Sequence, residues 1–256
     1  MIHIRTDKEE FKSILSDDQK VSDENITLYK YMDFYKFLSF VLNRKIYFPL
    51  LNQLEDSFEG DLQTFRLVPG INNIFKGKDI GQKFRCLSLS GSAGECDLMW
   101  RAYCLNGGFR VEIDMSEFAK SAIDVDAFLA KVKYEKLSVF RRGGKKRVLK
   151  TIHPVFCPMA GKIGAYKSEM EYRLLSGVKG VRIKESIDCQ DERDISRFED
   201  CSFIEFSNLK FIKAVMACPR LSILQRQIME SDRINEHLRG EIDENFHFES
   251  SRIKLR

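Results

Sequence analysis

The chain has 256 residues, of which 43% are hydrophobic and 31% are charged, and its formal net charge at pH 7 is +4. These values are typical of a globular protein with a substantial core, and the small net charge by itself gives no reason to expect nucleic-acid binding. No apolar run approaches the roughly 20 residues that cross a bilayer, and the charged N-terminus lacks the apolar stretch of a signal peptide. We therefore expect a cytoplasmic protein that does not contact a membrane.

The seven cysteines and four histidines are scattered along the chain. No two cysteines have the two-residue spacing of a zinc or redox site, and no two histidines lie four residues apart. We expect reduced thiols and no bound metal. Twenty phenylalanines stand against one tryptophan, which predicts a phenylalanine-rich core between sheets and helices.

The predicted organisation is a polar lead-in over 1–27, one domain over 28–240 and a polar tail over 241–256. TLYKY alternates as a strand, and MDFYKFLSFVLN has the spacing of an amphipathic helix with Asp33 at its N-cap. KIYFPL is predicted to be a short strand, and LNQLEDSFEGDL a loop or helical turn.

The middle of the chain begins with KFRCLSLS at 83–90, which alternates as a strand, and GSAGEC, which is predicted to be a turn. LMWRAYCL is predicted to be a short helix capped by Asp97. An Asn-Gly-Gly turn then leads into the strand GFRVEIDM. MSEFAKSAIDVDAFLA is predicted to be a helix, and KVKYEKL a strand.

The C-terminal half is predicted to contain a proline-broken helix over 145–160 and strands at 170–176, 202–206 and 209–217. LSILQRQIMESDRINEHL is predicted to be one long amphipathic helix. Helices and short strands mix without a regular βαβ order. This mixture favours an α+β fold whose central sheet is mostly antiparallel or mixed, with flanking helices.

Positive charge is concentrated in RRGGKKR and negative charge in ESIDCQDERDISRFED. The simplest interpretation of each run is a solvated loop. Alternatively, the basic loop binds phosphate or nucleic acid, because guanidinium and ammonium groups neutralise phosphate directly. The chain would then be a nucleic-acid-binding protein or nuclease, with contacts from Arg141, Arg142, Lys145, Lys146 and Arg147.

The P-loop, the dinucleotide-binding G-x-G-x-x-G and the nucleophile elbow are absent from the sequence. The order LYKY, NRKIYFPLLNQLEDSFEG, CLSLS, LMWRAYCLNGGFRVEID, KVKYEKL and EMEYRLL resembles a bacterial family known as domain of unknown function 2971, over about residues 28–220. The chain departs from the family pattern at Glu55-Asp56-Ser57-Phe58, where the family has Asn-Asp-Pro-Phe, and at Arg101-Ala102, where it has Ser-His. The resemblance implies a single domain but no settled activity.

A second resemblance concerns chemistry. An opening strand with a polar residue, a strand with Ser-x-Ser and a later Glu-x-Glu resemble mono-ADP-ribosyltransferases of the Arg–Ser–Glu type. On this resemblance Glu171 is the main catalytic carboxylate, and Glu169 and Ser88 act beside it. The cation that holds a diphosphate would be Lys30 or Arg5.

The same resemblance implies NAD as the bound nucleotide. The residues expected to contact NAD are Lys30, Tyr31, Ser90, Trp100, Tyr103 and Arg173. The protein would then be a NAD-using transferase or NAD glycohydrolase of the kind found among toxins and phage-defence effectors. Ser-x-Ser and Glu-x-Glu also occur as ordinary strand faces and a lone tryptophan as ordinary core, so a non-enzymatic sensor or partner-binding module is a third hypothesis.

Overall fold

A computed structural model describes residues 26–53, 84–123, 125, 127–135, 139–142, 145–148, 161–163, 169–177 and 203–253. Its helices are α1 (Phe34–Asn43), α2 (Asp97–Tyr103), α3 (Met115–Ser121), α4 (Ile223–Met229) and α5 (Asp232–Glu241), with a 3-10 turn at Leu51–Gln53. Its strands are β1 (Thr27–Asp33), β2 (Lys45–Tyr47), β3 (Phe84–Ser90), β4 (Gly108–Asp114), β5 (Ala122–Ile123), β6 (Phe128–Lys131), β7 (Lys133–Glu135), β8 (Val139–Arg142), β9 (Lys145–Val148), β10 (Gly161–Ile163), β11 (Glu171–Gly177), β12 (Phe203–Phe206), β13 (Ile212–Ala217) and β14 (Phe248–Ser250).

A seven-stranded sheet in the order β14-β13-β4-β1-β3-β11-β6 is the centre of the fold. Its neighbouring strands are antiparallel, except that β14 runs parallel to β13. A three-stranded sheet β2-β12-β5, the pairs β7-β10 and β8-β9, and an isolated bridge between Leu50 and Arg85 complete the pairing among the described residues. The predicted α+β class with a mixed central sheet and flanking helices is confirmed.

Phenylalanine side chains fill the core on the side of the sheet that α1 covers. The helix begins after Asp33, whose carboxylate accepts a hydrogen bond from the backbone N–H of Lys36 at 2.9 Å, so the predicted N-cap is confirmed. Its buried residues are Phe34, Phe37, Phe40 and Val41. The ring centroid of Phe37 lies 4.2 Å from that of Phe109 on β4, which confirms the phenylalanine-rich core.

The opposite side of the sheet is covered by α2, which differs from its prediction at the N-terminus. Cys96 occupies the N-cap position without a side-chain cap, whereas Asp97 is the first helical residue. The Asp97 carboxylate instead accepts a hydrogen bond from Arg101 Nε at 2.8 Å, one turn along the helix. The predicted cap at Asp97 is therefore wrong by one residue.

Two long helices predicted from periodicity are shorter in the structure. The helix predicted over 115–130 ends at Ser121, because residues 128–131 pair with β11 and the sheet contact overrides helical spacing. The last predicted helix is divided into α4 and α5 at Ser231. The Ser231 hydroxyl donates to the carbonyl of Ile228 at 2.7 Å, so a side-chain contact replaces the helical ladder there.

The helix predicted over 145–160 begins instead as a strand, since 145–148 is β9 and pairs with β8. The rest of that prediction, 149–160, lies outside the described residues. The C-terminal residues predicted to be a polar tail contribute β14 to the main sheet. Within the described part of the chain, none of the helices has the length and apolar character needed to cross a membrane.

The Asn-Gly-Gly turn connects α2 to β4, and both of its glycines are needed there. Gly107 has a φ of +91°, a conformation that side chains rarely adopt. A Cβ on Gly108 would lie 2.9 Å from Asp33 Cα and closer still to the carbonyl oxygen of Met32. This backbone contact is where β4 meets the end of β1.

We therefore expect Gly108→Ala to destabilise the protein by about 2–4 kcal/mol, because backbone atoms must move to admit the methyl group. The control is Gly240→Ala in α5, where nothing lies within 4 Å of the added Cβ. The control should be neutral or more stable by up to about 1 kcal/mol, since alanine favours helix. Urea unfolding of both variants measures the difference, and equal stabilities would contradict the packing described here.

Candidate functional site

The candidate site lies where β1 and β3 separate. β1 pairs with β4 along its whole length, and β3 pairs with β11 in the same way. Between β1 and β3, however, the only register pair is Tyr29 with Ser90. Beyond this pair the ammonium group of Lys30 reaches across and donates to the carbonyl oxygen of Ser88 at 2.8 Å. A side chain thus takes the place of a backbone donor at this edge.

A pocket of about 290 Å³, measured with its open mouth, occupies the separation between the strands. Its lining residues are Tyr29, Lys30, Tyr31, Ser88, Leu89, Ser90, Met99, Tyr103, Glu169 and Glu171. This set brings together the three segments that were predicted to carry the chemistry.

Glu171 is the most enclosed acidic residue of the pocket, with 3% of its surface exposed. Arg173 lies behind it, fully buried, and donates from Nε to Oε1 at 2.8 Å and from Nη2 to Oε2 at 3.3 Å. This charge-assisted, two-bond geometry fixes the orientation of the carboxylate. Arg173 does not line the pocket, so the structure places it as a support for Glu171 and not at the ligand surface.

A strained turn presents Glu169 and Glu171 to the pocket. Between them Met170 has a φ of +44°, which is unusual for a residue other than glycine. The N–H of Gly91 donates to the backbone carbonyl of Met170 at 2.9 Å. The hydroxyl of Ser90 donates to the backbone carbonyl of Glu169 at 2.9 Å. The Ser90 hydroxyl also accepts from the N–H of Ser92 at 3.2 Å. Ser90, predicted to contact the cofactor, therefore holds the backbone that carries the two glutamates.

Lys30 is the cation of the pocket. Burial lowers the pKa of Lys30 to about 8, although the charges of Cys86 and Glu171 act in the opposite direction. At neutral pH the side chain remains mostly an ammonium group, and it is attracted to Glu171 across the pocket. Arg5, the alternative cation considered from the sequence, lies outside the described residues.

The helix α2 forms one wall of the pocket through Met99 and Tyr103, which lie one turn apart. Trp100 does not line the pocket. Its side chain is fully buried, and its ring centroid lies 4.9 Å from that of Tyr31 in an edge-on contact. The structure therefore places Trp100 in the wall, whereas Tyr31 and Tyr103 reach the pocket.

Glu95 fastens this wall to the C-terminal end of the main sheet. Its carboxylate accepts hydrogen bonds from Trp100 Nε1 at 3.2 Å, from the Arg252 N–H at 2.9 Å and from the Ser251 hydroxyl. Burial alone raises the pKa of Glu95, but these hydrogen bonds outweigh it and hold the pKa below its usual value. The segment after β14 is thus tied to the helix that covers the pocket.

Sequence reasoning missed Arg110, which lies beside the pocket on β4. Its guanidinium carbon lies 3.8 Å from the ring centroid of Tyr29, a lining residue. In the sequence Arg110 is one polar residue in the alternating strand GFRVEIDM. Only the pairing of β4 with β1 shows that its side chain shares a sheet face with Tyr29 and Tyr31.

The basic residues predicted to bind nucleic acid lie in the hairpin β8-β9 and not in a loop. The register pairs are Arg141 with Lys146, Arg142 with Lys145 and Phe140 with Arg147. A Gly-Gly pair between two short runs with β-branched and aromatic residues favours such a hairpin, which explains the difference from the prediction. Nucleic-acid binding by these residues stays a prediction. Among the described residues no group of histidine, cysteine or carboxylate side chains could hold a metal ion.

Comparison with known proteins identifies no relative: no family model, curated protein or solved structure matches the chain. The two resemblances drawn from the sequence therefore stay predictions.

The lowered pKa of Lys30 has a consequence for stability. Between about pH 8 and 10.5 the folded protein holds fewer protons on this group than the unfolded chain, so the contribution of Lys30 to stability rises with pH. We expect the stability of the wild type relative to Lys30→Met to increase by about 3 kcal/mol across this window. Urea unfolding at a series of pH values measures this difference.

The matched control is Lys210→Met, which removes an exposed lysine. Its stability relative to the wild type should change little over the same pH range. A difference between wild type and Lys30→Met that is independent of pH would show that Lys30 titrates as an ordinary surface lysine.

Proposed function

We propose that the pocket binds NAD and breaks the bond between nicotinamide and ribose, so that the protein is an ADP-ribosyltransferase or a NAD glycohydrolase. The observation that carries this proposal is the convergence of Lys30, Ser88, Glu169 and Glu171 on one pocket, from three neighbouring strands and the turn before β11. Each of these residue types meets a separate chemical requirement of that reaction.

Glu171 supplies the negative charge. When the C1′–N bond breaks, its electron pair stays with nicotinamide and positive charge develops on the ribose. A carboxylate that is already ionised and fixed stabilises that charge without rearranging during the reaction. Arg173 keeps Glu171 in this state through two hydrogen bonds to the carboxylate.

Glu169 is suited to the second half of the reaction. It is partly exposed and lines the same pocket. In the proposal it accepts the proton of a water molecule or acceptor group as that nucleophile forms its bond to C1′. The Met170 turn presents both Glu169 and Glu171 to the same pocket, and the proposal gives each of them a different role.

In the proposed complex the nucleotide enters the open mouth of the pocket. We place the nicotinamide and its ribose inside, between Glu171 and the tyrosines, and the phosphates toward Lys30. Aromatic side chains such as Tyr29 and Tyr31 provide the apolar surface that a nicotinamide ring prefers. Consumption of cytoplasmic NAD by this route is the chemistry expected of a toxin or phage-defence effector.

We expect NAD to raise the melting temperature of the purified protein and the protein to release nicotinamide, detected by mass spectrometry. Glu171→Gln should lower the release rate roughly 100-fold or more, because it removes the charge that stabilises the transition state. Glu169→Gln is the matched control: it should bind NAD like the wild type and keep a larger share of the hydrolytic activity.

Glu171→Gln also removes the carboxylate charge that pairs with the buried Arg173, which by itself destabilises the protein. The double variant Glu171→Gln/Arg173→Met removes both charges and separates loss of folding from loss of catalysis. Absence of NAD binding at millimolar concentration, or full activity in a folded double variant, would rule out the proposal.

A further inference from the structure

Lys30 reaches the pocket from the core side of the sheet. Along β1 it alternates with Tyr29 and Tyr31. It therefore starts on the opposite face of the strand, which it shares with Leu28 and Met32 of the buried hydrophobic core. The stem of Lys30 leaves an apolar surface, and its ammonium group ends in the gap between β1 and β3, where the pocket lies.

The ammonium group of Lys30 is held by a neutral partner. It donates to the backbone carbonyl of Ser88, and within the described part of the chain no carboxylate forms an ion pair with it inside 4 Å. The charge of Glu171 acts on it from a greater distance. Nζ can therefore turn toward a ligand at the cost of one hydrogen bond to a carbonyl, without breaking an ion pair.

The surroundings of Lys30 favour its neutral form. Burial lowers the pKa of Lys30 to about 8 and Lys36 of α1 acts in the same direction, whereas Cys86 of β3 and Glu171 of β11 oppose it. At pH 7 roughly one Lys30 side chain in ten is then a free amine, compared with fewer than about one in a thousand for an ordinary lysine. The other titratable residues that line the pocket are Tyr29, Tyr31, Tyr103 and Glu169.

We propose that Lys30 is an amine nucleophile that forms an imine with a short hydroxyaldehyde bound in the pocket. This activity goes beyond the proposed function and does not depend on NAD. The carbonyl carbon of such a ligand meets Nζ in the gap between the strands. Its hydroxyl groups can exchange hydrogen bonds with the Ser88 hydroxyl and with Glu169, which line the same pocket.

Imine formation needs neither an oxidant nor a reductant. The lone pair of Nζ adds to the carbonyl carbon, and the carbonyl oxygen takes up a proton as nitrogen loses one, which gives a carbinolamine. The hydroxyl group then accepts a second proton and leaves as water, while nitrogen gives up its last proton and forms the double bond to carbon. Glu169, which is partly exposed, is placed to relay these protons.

The first test uses the unmodified protein and glycolaldehyde as the probe. Sodium cyanoborohydride reduces an imine to a stable secondary amine, so mass spectrometry of the digested protein locates a hydroxyethyl group on each lysine that reacted. At pH 7 and short reaction times, Lys30 should be labelled at least about tenfold faster than Lys210, although Lys210 is exposed and Lys30 is partly buried. Labelling of Lys30 that is no faster than that of Lys210 overturns the proposal.

The second test compares two variants by the mass of the intact protein. Lys30→Arg keeps the positive charge and a donor for the Ser88 carbonyl, but it has no amine that forms an imine. It should lose the fast phase of labelling, and the matched control Lys210→Arg should keep it. A fast phase that persists in folded Lys30→Arg contradicts the proposal, and the first test stays decisive if this variant does not fold.

Addition of millimolar NAD separates the imine from the proposed function, which places the phosphates of NAD toward Lys30. If NAD slows the labelling of Lys30, the two ligands share the pocket and both proposals are supported. If Lys30 is labelled selectively and NAD neither slows the labelling nor raises the melting temperature, the imine stands and the proposed function fails. If NAD is bound and cleaved but Lys30 reacts like Lys210, the proposed function stands and the imine is wrong.

Discussion

The hydrogen bond from the Lys30 ammonium group to the carbonyl of Ser88 links β1 and β3 where the two strands separate. β1 is held by β4 and β3 is held by β11, so neither strand depends on the other for most of its backbone pairing. The single pair at Tyr29 and Ser90 keeps the two halves in one sheet. Where they part, the ammonium group of Lys30 donates to the part-buried carbonyl of Ser88. The pocket lies where the two strands part, and the Lys30 hydrogen bond bridges them there.

The charges around this opening are arranged at a cost in stability. Lys30 is desolvated, Glu171 and Arg173 form a buried ion pair, and Arg110 is nearly buried with an orphan N–H. Replacement of such groups by apolar residues is often neutral or stabilising. The left-handed Met170 adds backbone strain at the same place. Destabilising features that cluster around one pocket are typical of a site selected for binding or catalysis, which supports the proposed function.

The parts predicted from the sequence are those that depend on local spacing. Each of these predictions uses a pattern of about ten residues or fewer: the helical period of the phenylalanines in α1, the cap at Asp33, and the alternation in β1 and β3. The proximity of Ser88 to Glu171 depends on strands about 80 residues apart, and it was predicted only through a resemblance. Arg110 could not be found, because its importance depends on which strand lies next to β4. The helix predicted past Ser121 failed for the same reason, since β11 takes up residues 128–131.

The attachment of Glu95 to Ser251 and Arg252 has a practical consequence for anyone who works with shortened forms. Removing the chain from 251 onward would strip a half-buried carboxylate of two of its three donors, and the third is the tryptophan that backs Tyr31. The pocket wall would then loosen although every lining residue was still present. A deletion series designed only from sequence position would treat these last residues as dispensable. Loss of activity in such a shortened protein would then be attributed, wrongly, to a missing catalytic group.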